Sequence, residues 1–408
     1  MQGNLRRNVY LIYAMAFFYS FILVVPVFVP LVQDHGLSMA QVLQTQALFA
    51  LTIACLEVPS GYIADIWGRR RAILVGSAFH AAGFAMLPWA DGFGDFLIYE
   101  ALLGVGISLI SGADVALLYD SELELEKLGA TGAGASKSLS RLISVEAGAS
   151  GLAGLGASLL LLIGSMQLLI VVQAVCGLVP LALGLLLRET PRPHITQGHA
   201  GNASAIVRLM LRGNPVVLWT TLAIIAFGLL GLYSFWIYQK YWEAQGLPVE
   251  SFGYLWAVFA LVISVTARYA EALENYLGWR RLLVVTALLP LVGLAGMALL
   301  GGWPGVLFGL ALQAGRGLSL SLFYEALNRR IPGDFRATVN SLVSLGTRSV
   351  FILSGPLLGW SLDAFGVRPT LLVLLAIFTP VVAMVLLGLG LRIVREAVTG
   401  AGAGGAPV

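Results

Sequence analysis

The sequence predicts an all-α integral membrane protein of twelve spanning helices, arranged as two halves of six. Three observations predict it: a composition too apolar for a water-soluble globule, twelve apolar runs of bilayer-crossing length, and a weak internal repeat. Of the 408 residues, 58% are hydrophobic and 11% charged, against roughly 25% charged in soluble domains. The net charge of +3 comes from basic residues dispersed among loops, which is no nucleic-acid footprint. Cys55 and Cys176 both lie inside apolar runs and read as small core hydrophobes, not as a disulfide or a metal pair.

About 20 apolar residues cross a ~30 Å hydrocarbon core as a helix. Runs of that kind stand at 8–32, 40–64, 71–90, 95–120, 138–163, 166–188, 215–242, 252–275, 279–301, 304–328, 338–362 and 368–394. Turn signals such as Asp34-His35-Gly36, Asp91-Gly92, Gly246-Leu247-Pro248 and Gly302-Trp303-Pro304 separate them. The first run is longer than the h-region of a cleaved signal peptide and has no small-residue cleavage site, so it reads as a span that stays.

Lys and Arg set the orientation. One side receives Arg6, Arg7, Arg69–Arg71, Lys127, Lys137, Arg188, Arg192, Arg208, Arg212, Arg280, Arg281, Arg329, Arg330, Arg336, Arg392 and Arg395, while the other receives only Lys240 and Arg368. The expectation is a multi-pass protein of the cell (inner) membrane with both termini cytoplasmic. The longest polar stretch divides the chain into 1–188, a linker at 189–214 and 215–396, leaving 397–408 as a disordered tail. Within the linker, Asn202–Arg212 could lie on the inner leaflet as a basic amphipathic helix. A shift of 210 residues lays Asp65-Ile66-Trp67-Gly68-Arg69-Arg70-Arg71 over Asn275-Tyr276-Leu277-Gly278-Trp279-Arg280-Arg281, the mark of a parallel repeat.

The turn between the second and third runs reads Gly61-Tyr62-Ile63-Ala64-Asp65-Ile66-Trp67-Gly68-Arg69-Arg70-Arg71. Glycines there permit close approach and a sharp reversal, and the arginines can reach anionic headgroups. The stretch fits the pattern G-x-x-x-D-x-x-G-R-[RK] at Gly61, Asp65, Gly68, Arg69 and Arg70. On these residues the chain resembles the major facilitator superfamily of transporters. The resemblance implies two six-helix bundles around a central cavity and transport by alternating access. It also implies a conformational latch of Gly61, Asp65, Gly68, Arg69 and Arg70 with Asp120, the acid closing the fourth span. In the second half Asn275 stands for the aspartate and Glu271 for the first glycine, a departure that leaves a second latch open. The fifth span carries Gly148, Gly151, Gly154 and Gly156 but lacks the proline of the antiporter pattern.

Ionisable side chains deep in a span are costly and mark pathways. Glu57 lies eight residues before Asp65, roughly 12 Å deep at the helical rise. Arg316 precedes Arg330 by fourteen residues, roughly 20 Å on the same rise. Together with Asp114 and Glu146 these are the candidates for proton coupling or cavity charge, the alternative being buried pairs that only fix packing. His80 reads as a packing histidine. On the seventh span Tyr233, Trp236, Gln239 and Lys240 could line a substrate cavity, with Lys240 either an interfacial anchor or an attractor of anions. Glu325 and Arg329 have the spacing of a helical ion pair.

No nucleotide-binding loop and no G-x-S-x-G or H-E-x-x-H constellation occurs, so the expectation is a transporter and not an enzyme, needing no cofactor beyond a proton gradient. Its partners would be a small-molecule substrate, protons and membrane lipid, and it would act as a monomer. Export of a small amphiphilic or organic solute by proton antiport is the favoured reading, and a proton symporter importing a metabolite is the alternative. A membrane enzyme or receptor without transport is the remote one.

Overall fold

Inside hydrocarbon each backbone N–H and C=O must find its partner within the chain, so the apolar runs can only be helices. The protein is described here by a computed structural model covering residues 2–129, 134–190, 214–332 and 335–399. Its helices are α1 (Gln2–Ser20), α2 (Phe28–Asp34), α3 (Met39–Trp67), α4 (Arg69–Met86), α5 (Phe93–Ile110), α6 (Ala113–Lys127), α7 (Ala135–Ile163) and α8 (Met166–Leu186). They continue as α9 (Pro215–Ala244), α10 (Phe252–Arg268), α11 (Ala270–Leu277), α12 (Trp279–Leu299), α13 (Gly302–Arg329), α14 (Arg336–Phe365) and α15 (Val367–Thr399). Among the described residues they make twelve membrane-length spans. The expected amphipathic helix at 202–212 lies outside the described residues. So does 400–408, whereas the helix α15 runs on to Thr399.

The sequence reading treats the first, fourth and eighth spans as continuous, and the structure corrects this. The first is interrupted between α1 and α2, where Pro26 supplies no N–H and a short 3-10 turn runs from Val25 to Val27. The amide of Leu23, freed by the interruption, donates to Gln173 Oε1 at 2.6 Å. The fourth span breaks between α5 and α6 at Ser111 and Gly112, the latter at φ +87°, a conformation that only glycine adopts without strain. The eighth breaks at Tyr269, between α10 and α11.

The chain divides into two compact units. The first comprises residues 1–195 with 246–260 and 352–363; the second comprises 196–245, 261–351 and 364–408. In the first, α4 packs on α5 and α8, and α3 on α5. A cluster around Leu5, Ile12, Met15, Ala72, Ile73, Leu117 and Leu187 fills its basic end. In the second, α12 packs on α13 and α15, and α9 on α13 and α15, around Val216, Ile224, Phe227, Phe323, Leu327 and Val343.

The repeat seen in the sequence reappears as geometry. Gly68 (φ +111°) ends α3 and opens α4, and Gly278 (φ +78°) does the same between α11 and α12. Each glycine N–H closes the preceding helix, onto Ala64 O at 3.2 Å and Glu274 O at 2.8 Å respectively. Gly61 is different: a Cβ there would meet nothing within 4 Å, so close approach does not explain it. Cys55, expected in the core, is exposed on the flank of α3, and Cys176 is half-buried. With a bilayer as solvent, an apolar side chain gains as much against lipid as inside the bundle.

Candidate functional site: a charge cluster and interrupted spans

The start of α4 is held by carboxylates from elsewhere in the chain. Arg69 and Asp120 form an ion pair joining α4 to α6. The same guanidinium donates to Ala116 O at 2.7 Å, and Thr190 donates its hydroxyl to Asp120 Oδ2 at 3.3 Å. Glu189 places its two oxygens on the backbone N–H groups of Arg69 and Arg70, each at 3.0 Å. This satisfies two of the unpaired donors at the helix start and sets a negative charge at the positive end of its dipole. Arg70 then donates to Leu187 O at 2.6 Å and Leu185 O at 3.2 Å. Asn8 and Arg188 exchange amide and carbonyl bonds at 2.8 and 3.0 Å, which ties α1 to the same place.

Of the latch residues expected from the sequence, Arg69 and Asp120 meet, Gly68 makes the turn and Arg70 grips the end of α8. Asp65 stands exposed on the last turn of α3. Glu189 and Thr190 were not anticipated. They follow the sixth span with no pattern of their own, and only a search for an acid able to cap α4 could have raised Glu189.

A second polar set lies in the middle of the first unit, at the interruptions. Asp114 sits in the first turn of α6, just past the break, and accepts from the N–H of Val115 at 2.7 Å. It stands within electrostatic reach of Glu146 on α7 and of Tyr19, in the last turn of α1 beside the other break. The Tyr19 hydroxyl bonds Ser77 Oγ, whose own hydroxyl donates to Ile73 O at 2.7 Å. His80 is 1% exposed, wedged edge-on between the rings of Tyr19 and Phe84. Asp114 and Glu146 are both half-buried. Glu57 is also half-buried on α3. Glu100, not among the candidate site residues of the sequence, is a fully buried acid on α5 that accepts from Gln46 Nε2 at 2.5 Å.

In the second unit Arg316 lies fourteen residues into the 28-residue α13. A Cβ on Gly231 of α9 would stand 3.2 Å from its Nε, so the glycine makes room for the guanidinium. Tyr238 is the group within electrostatic reach, and among the described residues no carboxylate pairs with Arg316. One turn earlier on α13, the buried Gln313 has no hydrogen-bond partner for its Oε1. Tyr233, Trp236 and Gln239 are all buried, and Tyr233 packs against Phe351 and Phe378. Lys240 pairs with Glu243 at 2.9 Å, and Arg329 with Glu325 at 2.5 Å as its i,i+4 spacing suggested.

On the side opposite the basic loops, the start of α3 is capped twice. Ser38 and Gln41 form a capping box, and Asp363 at the end of α14 accepts from Met39 N at 2.9 Å and Ala40 N at 2.8 Å. Nearby α7 and α10 meet backbone to backbone: a Cβ on Gly154 would come 2.7 Å from Gly253 O, and Tyr254 N donates to Ser158 Oγ at 3.0 Å. Gly148 and Gly151 have nothing within 4 Å, so of the glycine series only its later members make close contacts. Asp363→Ala leaves two amide donors uncapped, a loss of about 0.5–2 kcal/mol by analogy with N-cap deletions. Hydrogen exchange at the amides of Met39 and Ala40 is therefore expected to accelerate severalfold, while unchanged exchange there would show that the carboxylate holds nothing.

The sequence matches the Major Facilitator Superfamily over residues 9–355. No curated protein matches the chain in sequence. Among solved structures, the chain is similar to a D-xylose-proton symporter, with a TM-score of 0.73 at 14% identity over 94% of this chain and 97% of that one. It is also similar to the nucleoside transporter NupG, at 0.69 and 12% over 95% and 98%. A bacterial homolog of the human lysosomal transporter Spinster, in an inward-facing and unoccupied conformation, matches at 0.71 and 16% over 97% and 98%. At such identities the likeness is one of fold. Family match, twelve spans and shared fold agree: the chain belongs to the Major Facilitator Superfamily and is a membrane transporter.

Proposed function

We propose that the protein couples movement of a small organic solute to protons by alternating access, with export by antiport as its working direction. The observation that carries the proton reading is the placement of Asp114. It is a half-buried carboxylate at a break in the fourth span, with Glu146 across from it and the Tyr19 phenol at the break of the first. Interrupted spans in transporters present helix ends and unpaired backbone to what is carried. Two carboxylates in mutual reach inside a membrane repel when both are ionised, so a proton bound to one relieves the other. A movement that changes their separation or hydration changes the proton affinity of the pair, which is how a gradient can drive it. Asp114 and Glu146 carry this role, with Glu57 as a second carboxylate on the path.

Arg316 supplies the opposite charge. A cation at the centre of a span costs about 2.5–3.5 kcal/mol on insertion scales, and no carboxylate among the described residues offsets it. A solute bearing an anionic group would do so. Arg316→Gln is expected to weaken recognition of an acidic solute by roughly 10- to 100-fold, the worth of about 1.5–3 kcal/mol for a hydrogen bond to a charged group. Arg316→Lys would retain part of it, and equal loss for a neutral solute would assign Arg316 to packing. The Arg69–Asp120 pair and the Glu189 cap act as the latch that one end of the cycle closes and the other releases. We further infer an inner-membrane protein with cytoplasmic termini, acting as a monomer, its mobile halves being 1–188 and 215–396.

The test is internal pH in proteoliposomes holding the purified protein, with matched acidic, neutral and cationic solutes added outside. Proton movement opposite to the solute supports antiport. Movement in the same direction replaces export by import, and solute flux without protons removes the coupling role from Asp114 and Glu146.

A further inference from the structure

Between the ends of α1, α3, α4 and α8, the first unit has a surface recess of about 540 Å³ lined by Arg7, Arg70, Arg71, Arg188, Glu189 and Trp67, with Leu185–Leu187. Four arginines face one glutamate there, and that glutamate is occupied by the two backbone N–H groups of α4. Arg7 is fixed by Leu186 O at 2.7 Å and Arg70 by the carbonyls of Leu187 and Leu185, but carbonyl oxygens do not cancel their charge. Arg71 and Arg188 are exposed, and their guanidinium groups make no hydrogen bond among the described residues. The recess therefore holds excess positive charge, part of it pre-oriented and part still able to donate. Trp67, Leu185 and Leu186 are each half or more exposed around it, an amphipathic and apolar rim at the level where a span leaves the hydrocarbon.

We propose that this recess binds the headgroup of an anionic phospholipid, its phosphate held by Arg71 and Arg188 and its glycerol and first acyl carbons against Trp67, Leu185 and Leu186. Basic hollows between spans on the side bearing Lys and Arg suit lipid phosphate, and guanidinium forks suit its oxygens bidentately. A free phosphate would use the arginines but not the apolar rim, which is why the lipid is the occupant. The bound headgroup would brace the segment Leu185–Glu189 and, through Glu189, the start of α4. The site does not depend on which solute is carried or in which direction.

The experiment is a melting-temperature titration of delipidated, detergent-solubilised full-length protein with phosphatidylglycerol, phosphatidylcholine or inorganic phosphate. Native mass spectrometry of the same samples counts bound lipid. Phosphatidylglycerol is expected to raise the melting temperature and remain bound, with phosphatidylcholine and phosphate leaving it unmoved. Arg71→Gln with Arg188→Gln should weaken phosphatidylglycerol about tenfold or more, while Arg71→Lys with Arg188→Lys keeps most of the binding. Equal stabilisation by phosphatidylcholine, or undiminished phosphatidylglycerol binding by the glutamine pair, would overturn the proposal. Stabilisation by phosphate equal to that by phosphatidylglycerol would also overturn it, assigning the recess to a free anion.

Discussion

Asp114→Asn is expected to abolish proton-driven accumulation of solute while leaving the protein folded. The asparagine keeps an oxygen that can accept from Val115 N, the 2.7 Å bond in the first turn of α6, and the break itself is set by Gly112, so it survives. What is lost is a group that can take and release a proton. Uphill transport should fall by roughly a hundredfold or more, the scale on which a positioned proton-transfer group acts. Exchange of labelled for unlabelled solute across proteoliposomes moves no net proton and should persist. Glu146→Gln should shift the pH dependence without abolishing coupling, because it removes the neighbouring charge and leaves the Asp114 carboxyl in place. The pair of assays separates the outcomes. Accumulation at the parent level in Asp114→Asn would transfer the coupling role to Glu57 or Glu146, and loss of exchange as well would mark Asp114 as structural.

The second large effect is expected at the Arg69–Asp120 pair. Asp120→Ala removes the acceptor of both Arg69 and Thr190, leaving a guanidinium whose side chain is 17% exposed beside helix carbonyls. Breaking a buried ion pair by deleting one partner costs about 3–5 kcal/mol. Partial solvation and the remaining bond to Ala116 O bring the expected loss nearer the 1.5–3 kcal/mol of a charge-assisted hydrogen bond. The measurement is a double-mutant cycle with Arg69→Ala, read by denaturation in detergent. A coupling energy near 2 kcal/mol is the expected result. Strict additivity, to within about 0.5 kcal/mol, would mean that the two side chains sit together without holding the helices. In a working latch the same variants should also shift the protein between its two access states, read as altered protease sensitivity at the α3–α4 turn around Gly68.

The turn at Gly68 and its counterpart at Gly278 were legible because a glycine between two apolar runs, followed by arginines, leaves few other conformations for the chain at a membrane surface. The Glu325–Arg329 pair was legible because helical spacing alone brings i and i+4 together. Glu189 was not, since the amides it caps lie about 120 residues away in sequence. Asp363 was not either: its partners Met39 and Ala40 are separated from it by more than 320 residues. The interruptions at Phe21–Val24 and Ser111–Gly112 were hidden for another reason. Hydropathy averages over a span and is blind to one or two residues that leave the helix.

By itself the sequence determined the fold class and the number of membrane-length spans. Both follow from the cost of exposing polar backbone to hydrocarbon, a cost incurred residue by residue and readable in order. The tertiary structure alone decided which acids meet which arginines, that Asp114 and Tyr19, each beside a break, come within electrostatic reach, and that Arg316 lies against Gly231 with no acid paired to it among the described residues. Those outcomes depend on how helices distant in sequence cross one another. Within a bilayer the crossings are set by the close packing of small residues and by hydrogen bonds between spans, not by the apolar pattern that makes each span.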